Sequence, residues 1–169
     1  MVITGISKIS IWGSNPHGPA NMDFKFRTGI TEKQIDQLIE YSLTDESVGK
    51  FTHDKERFGD RKAFDEWTKK GRKITVMTND NGDLLGIFWD GFMEMPLGDK
   101  KYNKTFAIRI YGEARGKGLA LGFMKNCIKG KGYWLETKDE NVAAKGLYNK
   151  FGFKQVSDSD EKGEIVMIY

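Results

Sequence analysis

The stretch that most restricts the fold lies between residues 105 and 128. Thr105-Phe-Ala-Ile-Arg-Ile-Tyr111 reads as a strand, and Arg115-Gly-Lys-Gly-Leu-Ala120 is a glycine-rich turn. Apolar residues at 119, 120, 123, 124, 127 and 128 then mark one face of a helix. A strand that feeds a helix through a tight turn needs a sheet to join and a layer for the helix to cover. The turn also has chemical potential. A helix start points backbone N–H groups outward, and glycine leaves room for an anion to reach them. The nucleoside-triphosphate pattern G-x-x-x-x-G-K-[ST] is absent, and the dinucleotide pattern G-x-G-x-x-G is not met. On this segment alone, an anion cradle and an ordinary charged turn both remain open.

The flanking segments supply the sheet. Met22–Thr28 alternates, with Phe24 and Phe26 on one side and Lys25 and Arg27 on the other, as a half-buried strand does. Thr31 and Gln34 form a capping box that starts a helix carrying Ile35, Leu38 and Ile39. Asp60 caps a second helix, with Ala63, Phe64 and Trp67 inward and Gly71 at its end. Lys73–Thr78 and Leu84–Trp89 are strands joined through Asn81-Gly82, a strong hairpin signal. Residues 90–104 form a long connection. Tyr133–Thr137 reads as a strand, and Asn141 caps a helix whose inner face is Ala144, Leu147, Tyr148 and Phe151. Phe153–Val156 and Glu164–Tyr169 close the chain as strands. The expected fold is α/β (α+β): one mixed, mostly antiparallel sheet of six to seven strands flanked by four helices. Residues 1–21 are expected to be an extension, or an extra strand plus a loop, ahead of one domain over 22–169.

Composition narrows the function classes. The chain has 169 residues, 38% of them hydrophobic, enough for one core that buries about 70% of the unfolded surface. No apolar run is long enough for a membrane span, and the start lacks a secretory plan, so cytoplasmic residence is expected. One cysteine, Cys127, excludes an internal disulfide framework. Net charge is +3 with both signs mixed along the chain, which argues against nucleic acid as partner. His17 and His53 have no neighbours at ligand spacing, so no metal is expected.

A second segment bears on the turn. Residues 141–153 carry Asn-x-x-Ala-x-x-Leu-Tyr-x-Lys-x-Gly-Phe, one helix and one strand after Arg-x-x-Gly-x-Ala. The two motifs in this order resemble the GNAT superfamily of acyl-CoA-dependent N-acyltransferases, closely over 105–156 and loosely before 72. The resemblance implies that Arg115, Gly116, Lys117, Gly118, Leu119 and Ala120 form the turn that binds the coenzyme A pyrophosphate. It implies that the strand of Ile108 and Ile110 pairs with the pantetheine arm, and that Asn141 contacts the cofactor. Tyr148 matches the tyrosine assigned as general acid for the departing thiolate. A phenol of pKa about 10 is mostly protonated and suits that task. Packing on its helix is the plain alternative. Gly112 departs from the pattern, standing where many relatives have proline.

Leu135-Glu-Thr137 is similar to the Leu-Glu-Val of bacterial enzymes that acetylate ribosomal-protein N-termini, which makes Glu136 the candidate base. A surface ion pair, or a water chain without a single base, is equally compatible with Glu136. The segment 52–58 and the connection 90–104, with Asp90, Glu94 and Met95, are where such folds shape the acceptor site. The expected activity is acetyl transfer from acetyl-CoA to a primary amine, on a small molecule or a peptide N-terminus, by a monomer or homodimer. The alternative is a non-catalytic acyl-CoA-binding module.

Overall fold

A computed structural model describes residues 6–9 and 24–169. Its elements are β1 (Ile6–Ile9), β2 (Phe24–Thr28), α1 (Glu32–Thr44), α2 (Glu46–Phe51), α3 (Asp54–Phe58), α4 (Arg61–Thr68), β3 (Lys73–Thr78) and β4 (Leu84–Phe92). They continue with β5 (Lys104–Ile110), α5 (Leu119–Cys127), β6 (Tyr133–Lys138), α6 (Val142–Phe151), β7 (Lys154–Gln155) and β8 (Glu164–Ile168). The loop expected at 13–21, including His17, lies outside the described residues.

The strands form one sheet in the order β1-β2-β3-β4-β5-β6-β8-β7. Every adjacent pair is antiparallel except β5–β6. The mixed α/β class expected from the sequence is therefore present. The sheet has eight strands where six to seven were expected: the addition is β1, in the N-terminal extension, and the expected strand at 153–156 is present as β7 over only two residues. Two extra helices, α2 and α3, are too short to show an apolar period.

Local chemistry sets the element ends. Thr31 and Gln34 make the reciprocal capping box of α1, at 3.4 and 3.0 Å. Asp60 caps α4 through Ala63 N at 2.8 Å. The β3–β4 turn places Gly82 at φ +78°, and α1 grips that turn through Gln34 Nε2 on the Gly82 carbonyl at 2.9 Å.

Alternation along the strands sends side chains to two cores. On one face, α5 and α6 pack Phe123, Met124 and Tyr148 over Phe88, Phe106 and Leu135. On the other, α1–α4 pack Leu38, Phe58 and Trp67 over Ile87, Trp89 and Tyr111. Phe123, Met124, Leu38 and Ile87 are completely enclosed, each contributing about 1.5–3 kcal/mol relative to exposure. No helix among the described residues is long and apolar enough to cross a membrane.

Candidate active site

The site grows from one interruption in the sheet. All seven residues of β5 pair with β4. Toward β6 only Lys104 and Thr105 are paired, with Tyr133 and Trp134. From Phe106 to Ile110 the outer edge of β5 has no strand partner among the described residues. An aromatic cluster stands at the parting, where Phe106 meets Tyr148 edge-on at 5.9 Å and Tyr133 at 6.1 Å.

Register decides which backbone groups face that free edge. The Tyr111 N–H donates to the Leu85 carbonyl at 2.8 Å, so residues 107, 109 and 111 direct their amides to β4. Phe106 directs its amide toward β6, and Ile108 and Ile110 direct theirs to the free edge, the parity needed for pairing with an extended amide chain. Arginines already hold two of these carbonyls. Arg109 Nη1 donates to Ile108 O at 2.9 Å, and Arg115 Nη2 to Ile110 O at 3.0 Å.

The glycine turn follows at the end of the same edge. A 3₁₀ turn, Gly112–Ala114, leads into it. Gly116 and Gly118 sit at φ +77° and +73°, which strongly favours glycine. No side chain caps the first turn of α5. A Cβ built on Gly116 or Gly118 would meet nothing within 4 Å, so the turn is open on that side, and the leading N–H groups of α5 carry the positive end of the helix dipole without an intrahelical acceptor. These groups fit a pyrophosphate, and the free edge beside them fits a pantetheine arm. Leu119 and Ala120 are half-buried and pack on the core below.

The Arg115 side chain is held by two acceptors within the protein. Its guanidinium is shared between Ile110 O and the Asp45 carboxylate, at 2.5 Å. Burial would raise the Asp45 carboxyl, but Arg115 and Ser47 outweigh it and hold it below the usual range.

Asn141 accepts the Ala144 N–H at 3.1 Å and so caps α6, leaving its side-chain NH₂ as the group able to reach a cofactor. Tyr148 is nearly enclosed on the inner face of α6. Burial pushes its phenol up, partly opposed by the Arg109 charge, so it is protonated at neutral pH. Glu136 follows Leu135 on β6 and leaves the sheet on the opposite side from α5 and α6. Its carboxyl is raised by partial desolvation and by Glu164 and Asp160 nearby. Tyr148 and Glu136 thus approach the parting from opposite sides of the sheet.

The acceptor-side segments prove more structured than a loop. Residues 52–58 contain α3, whose Asp54 is 1% exposed and binds Arg109 through two bonds of 2.7 and 3.0 Å. Sequence reasoning missed this pair. Its one signal was a cation in Ile108-Arg-Ile110, a charge sent into a core that demands a partner. Met95 is buried against Trp134 and Val166, while Asp90 turns to the α5 side and accepts the Tyr133 hydroxyl at 3.1 Å. Among the described residues no group of three or more His, Cys, Asp or Glu side chains is placed to hold a metal ion.

No family model matches the sequence, and no curated protein matches it. Solved structures do. An uncharacterized protein from Bacillus halodurans aligns with a TM-score of 0.68 at 15% identity, over 95% of this chain and 89% of its own. The GNAT domain of PAT from S. lividans aligns at 0.65 and 12% identity, over 97% and 96%. Spermidine N-acetyltransferase from Vibrio cholerae, in complex with CoA and spermine, aligns at 0.62 and 16% identity, over 85% and 92%. The parted sheet, the glycine turn and these alignments agree: the chain has the fold of the GNAT superfamily.

Proposed function

We propose that this chain is an N-acetyltransferase that moves an acetyl group from acetyl-CoA to a primary amine. The observation that carries the reading is the free edge of β5 running into an uncapped glycine turn, with Tyr148 behind the parting. The turn from Arg115 to Ala120 would hold the pyrophosphate through backbone N–H groups, while Ile108 and Ile110 would pair with pantetheine. In a ternary complex the amine attacks the thioester carbon, and the C–N bond forms as the C–S bond breaks.

This chain's residues manage the charges. Outward N–H groups of β5 would stabilise negative charge on the acyl oxygen. Tyr148 would give its proton to the departing sulfur. Glu136 would take the proton that the amine loses, directly or through water. Carboxylates of Glu136, Glu164 and Asp160 gather on that side, offset by Lys162 and by Lys138, which pairs with Glu164 at 3.1 Å, and a cationic acceptor would meet Glu136 there. Polyamines such as spermidine, the substrate named for the Vibrio cholerae structure, and peptide N-termini meet that description. Burial pushes the lone thiol of Cys127 up to about 12, which takes it out of the chemistry at neutral pH.

The test is calorimetry with coenzyme A and acetyl-CoA, followed by thiol release over a panel of amines. Submicromolar to micromolar binding and release with at least one amine are expected. Binding without release on any amine would leave a non-catalytic acyl-CoA module. Absence of binding would sink both readings. Tyr148→Phe should then lower kcat about a hundredfold with coenzyme A affinity unchanged. An unaltered kcat would falsify the acid role.

A further inference from the structure

Arg109 is a cation placed in the middle of the central strand with its side chain 15% exposed, and its partner Asp54 is 1% exposed. The guanidinium meets Asp54 through Nε at 2.7 Å and Nη2 at 3.0 Å, and lies 5.2 Å from the Trp89 ring centre. Such a buried pair is weak evidence of stabilisation, since apolar residues of similar volume often do as well or better. Net stabilisation is therefore a weak reason for the pair.

Its remaining contact gives another reason. Nη1 donates to Ile108 O, a carbonyl that faces the free edge of β5. Two residues along, Arg115 does the same to Ile110 O and is itself held by Asp45. Both aspartates belong to the segment of α2 and α3: Asp45 caps α2, and Asp54 opens α3. Two guanidinium groups thus occupy outward carbonyls, and each is tied to the acceptor-side wall.

We propose that the Asp54–Arg109 pair is a positioning device for acyl transfer, a role that rests on the acyltransferase reading above. It fixes the Ile108 carbonyl, and through it the stretch of β5 whose Ile108 and Ile110 N–H groups face the acyl oxygen. It also ties α3 to that edge, which sets the approach of the amine to the thioester. Misplacement of either partner costs rate, because orientation and aligned donors act in the transition state. Affinity for coenzyme A is shared among the glycine turn and the Ile108 and Ile110 edge, so it falls less than the rate.

The experiment compares Arg109→Lys, Asp54→Asn and the double variant Asp54→Leu/Arg109→Met with the unaltered chain. It reads kcat with the best amine, coenzyme A affinity by calorimetry, and melting temperature. Each single variant is expected to melt lower and turn over more slowly, with Arg109→Lys the milder because it keeps the charge. The double variant should regain the melting temperature, since Arg57, which also bonds Asp54 at 3.4 Å, is 37% exposed and no buried charge is left unpaired. Its kcat should stay down about tenfold or more, with affinity within about threefold.

A double variant with normal kcat would overturn the proposal and leave a structural ion pair. So would a loss of coenzyme A affinity that matches the loss of kcat. If the double variant does not fold, Arg109→Lys decides by the same two numbers: a kcat that falls further than affinity supports positioning, and any other pattern overturns it. An unaltered chain that neither binds coenzyme A nor releases it refutes the acyltransferase reading before any variant is made, and this proposal falls with it.

Discussion

Two strand-to-helix crossings lie side by side in this fold, and they end differently. The crossing from β5 to α5 passes through Gly116 and Gly118, both at positive φ, and reaches a helix whose first turn no side chain caps. The crossing from β6 to α6 is closed by its own groups. Asn141 caps the helix through Ala144 N, its own N–H donates to Lys138 O at 2.9 Å, and Lys145 is ion-paired with Asp139. Unsatisfied helix-end donors carry a cost unless water or a ligand meets them. The first crossing leaves its leading donors without a side-chain cap, the place that the proposed function gives to the pyrophosphate. The second uses its polar groups to fix the start of α6, the helix that carries Tyr148.

The largest test of this contrast makes the first crossing resemble the second. Gly118→Asp would put a carboxylate at the helix start, where it can cap the orphan donors and repel phosphate. The φ of +73° adds strain for any side chain. Coenzyme A affinity is expected to fall about a hundredfold, or ~3 kcal/mol. Calorimetry checks it, and retained affinity would mean that the turn is not the phosphate cradle.

A smaller effect is expected on β6. Glu136 must lose its proton to act as base, so the rate should climb with pH through its pKa. That pKa is raised, by desolvation first and by Glu164 and Asp160 next, so the climb should lie above the ordinary carboxylate range. Glu136→Gln should abolish that acidic limb and lower the plateau about tenfold. A profile left intact would assign the proton to a water chain.

The two crossings also differ in how far the sequence discloses them. Caps are local: Thr31 with Gln34, Asp60 and Asn141 each act within three residues, and all three stand as their sequence suggests. The helical stripe of α5 was equally legible, because Phe123 and Met124 fall on one face and are fully buried there. The glycines announced a turn without saying what it was for. What the sequence hid was long-range. Asp54 and Arg109 lie 55 residues apart and carry no shared pattern. Nor does any run of residues tell that β5 and β6 pair over only two positions. Short polar helices such as α3 owe their shape to Phe58 in the core rather than to periodicity.

The closed crossing offers a stability measurement that the open one lacks. Asn141→Ala removes a side-chain cap and should destabilise the chain by ~1 kcal/mol in urea unfolding. No change would mean that the cap is idle and that Asn141 serves only a bound cofactor. Gly146 then sharpens the contrast between glycines that are needed and those that are not. Gly116 and Gly118 sit at positive φ, whereas Gly146 lies within α6 and is not among the positive-φ positions. A Cβ added there meets nothing within 4 Å. Alanine at this position reduces the freedom of the unfolded chain and introduces no clash, so Gly146→Ala should stabilise by ~0.5–1 kcal/mol. Because Gly146 lies two residues before Tyr148, the same variant also asks whether the phenol needs a pliant helix. A higher melting temperature with unchanged kcat would show that α6 works as a rigid mount, while a gain in stability matched by lost turnover would show that its flexibility is used.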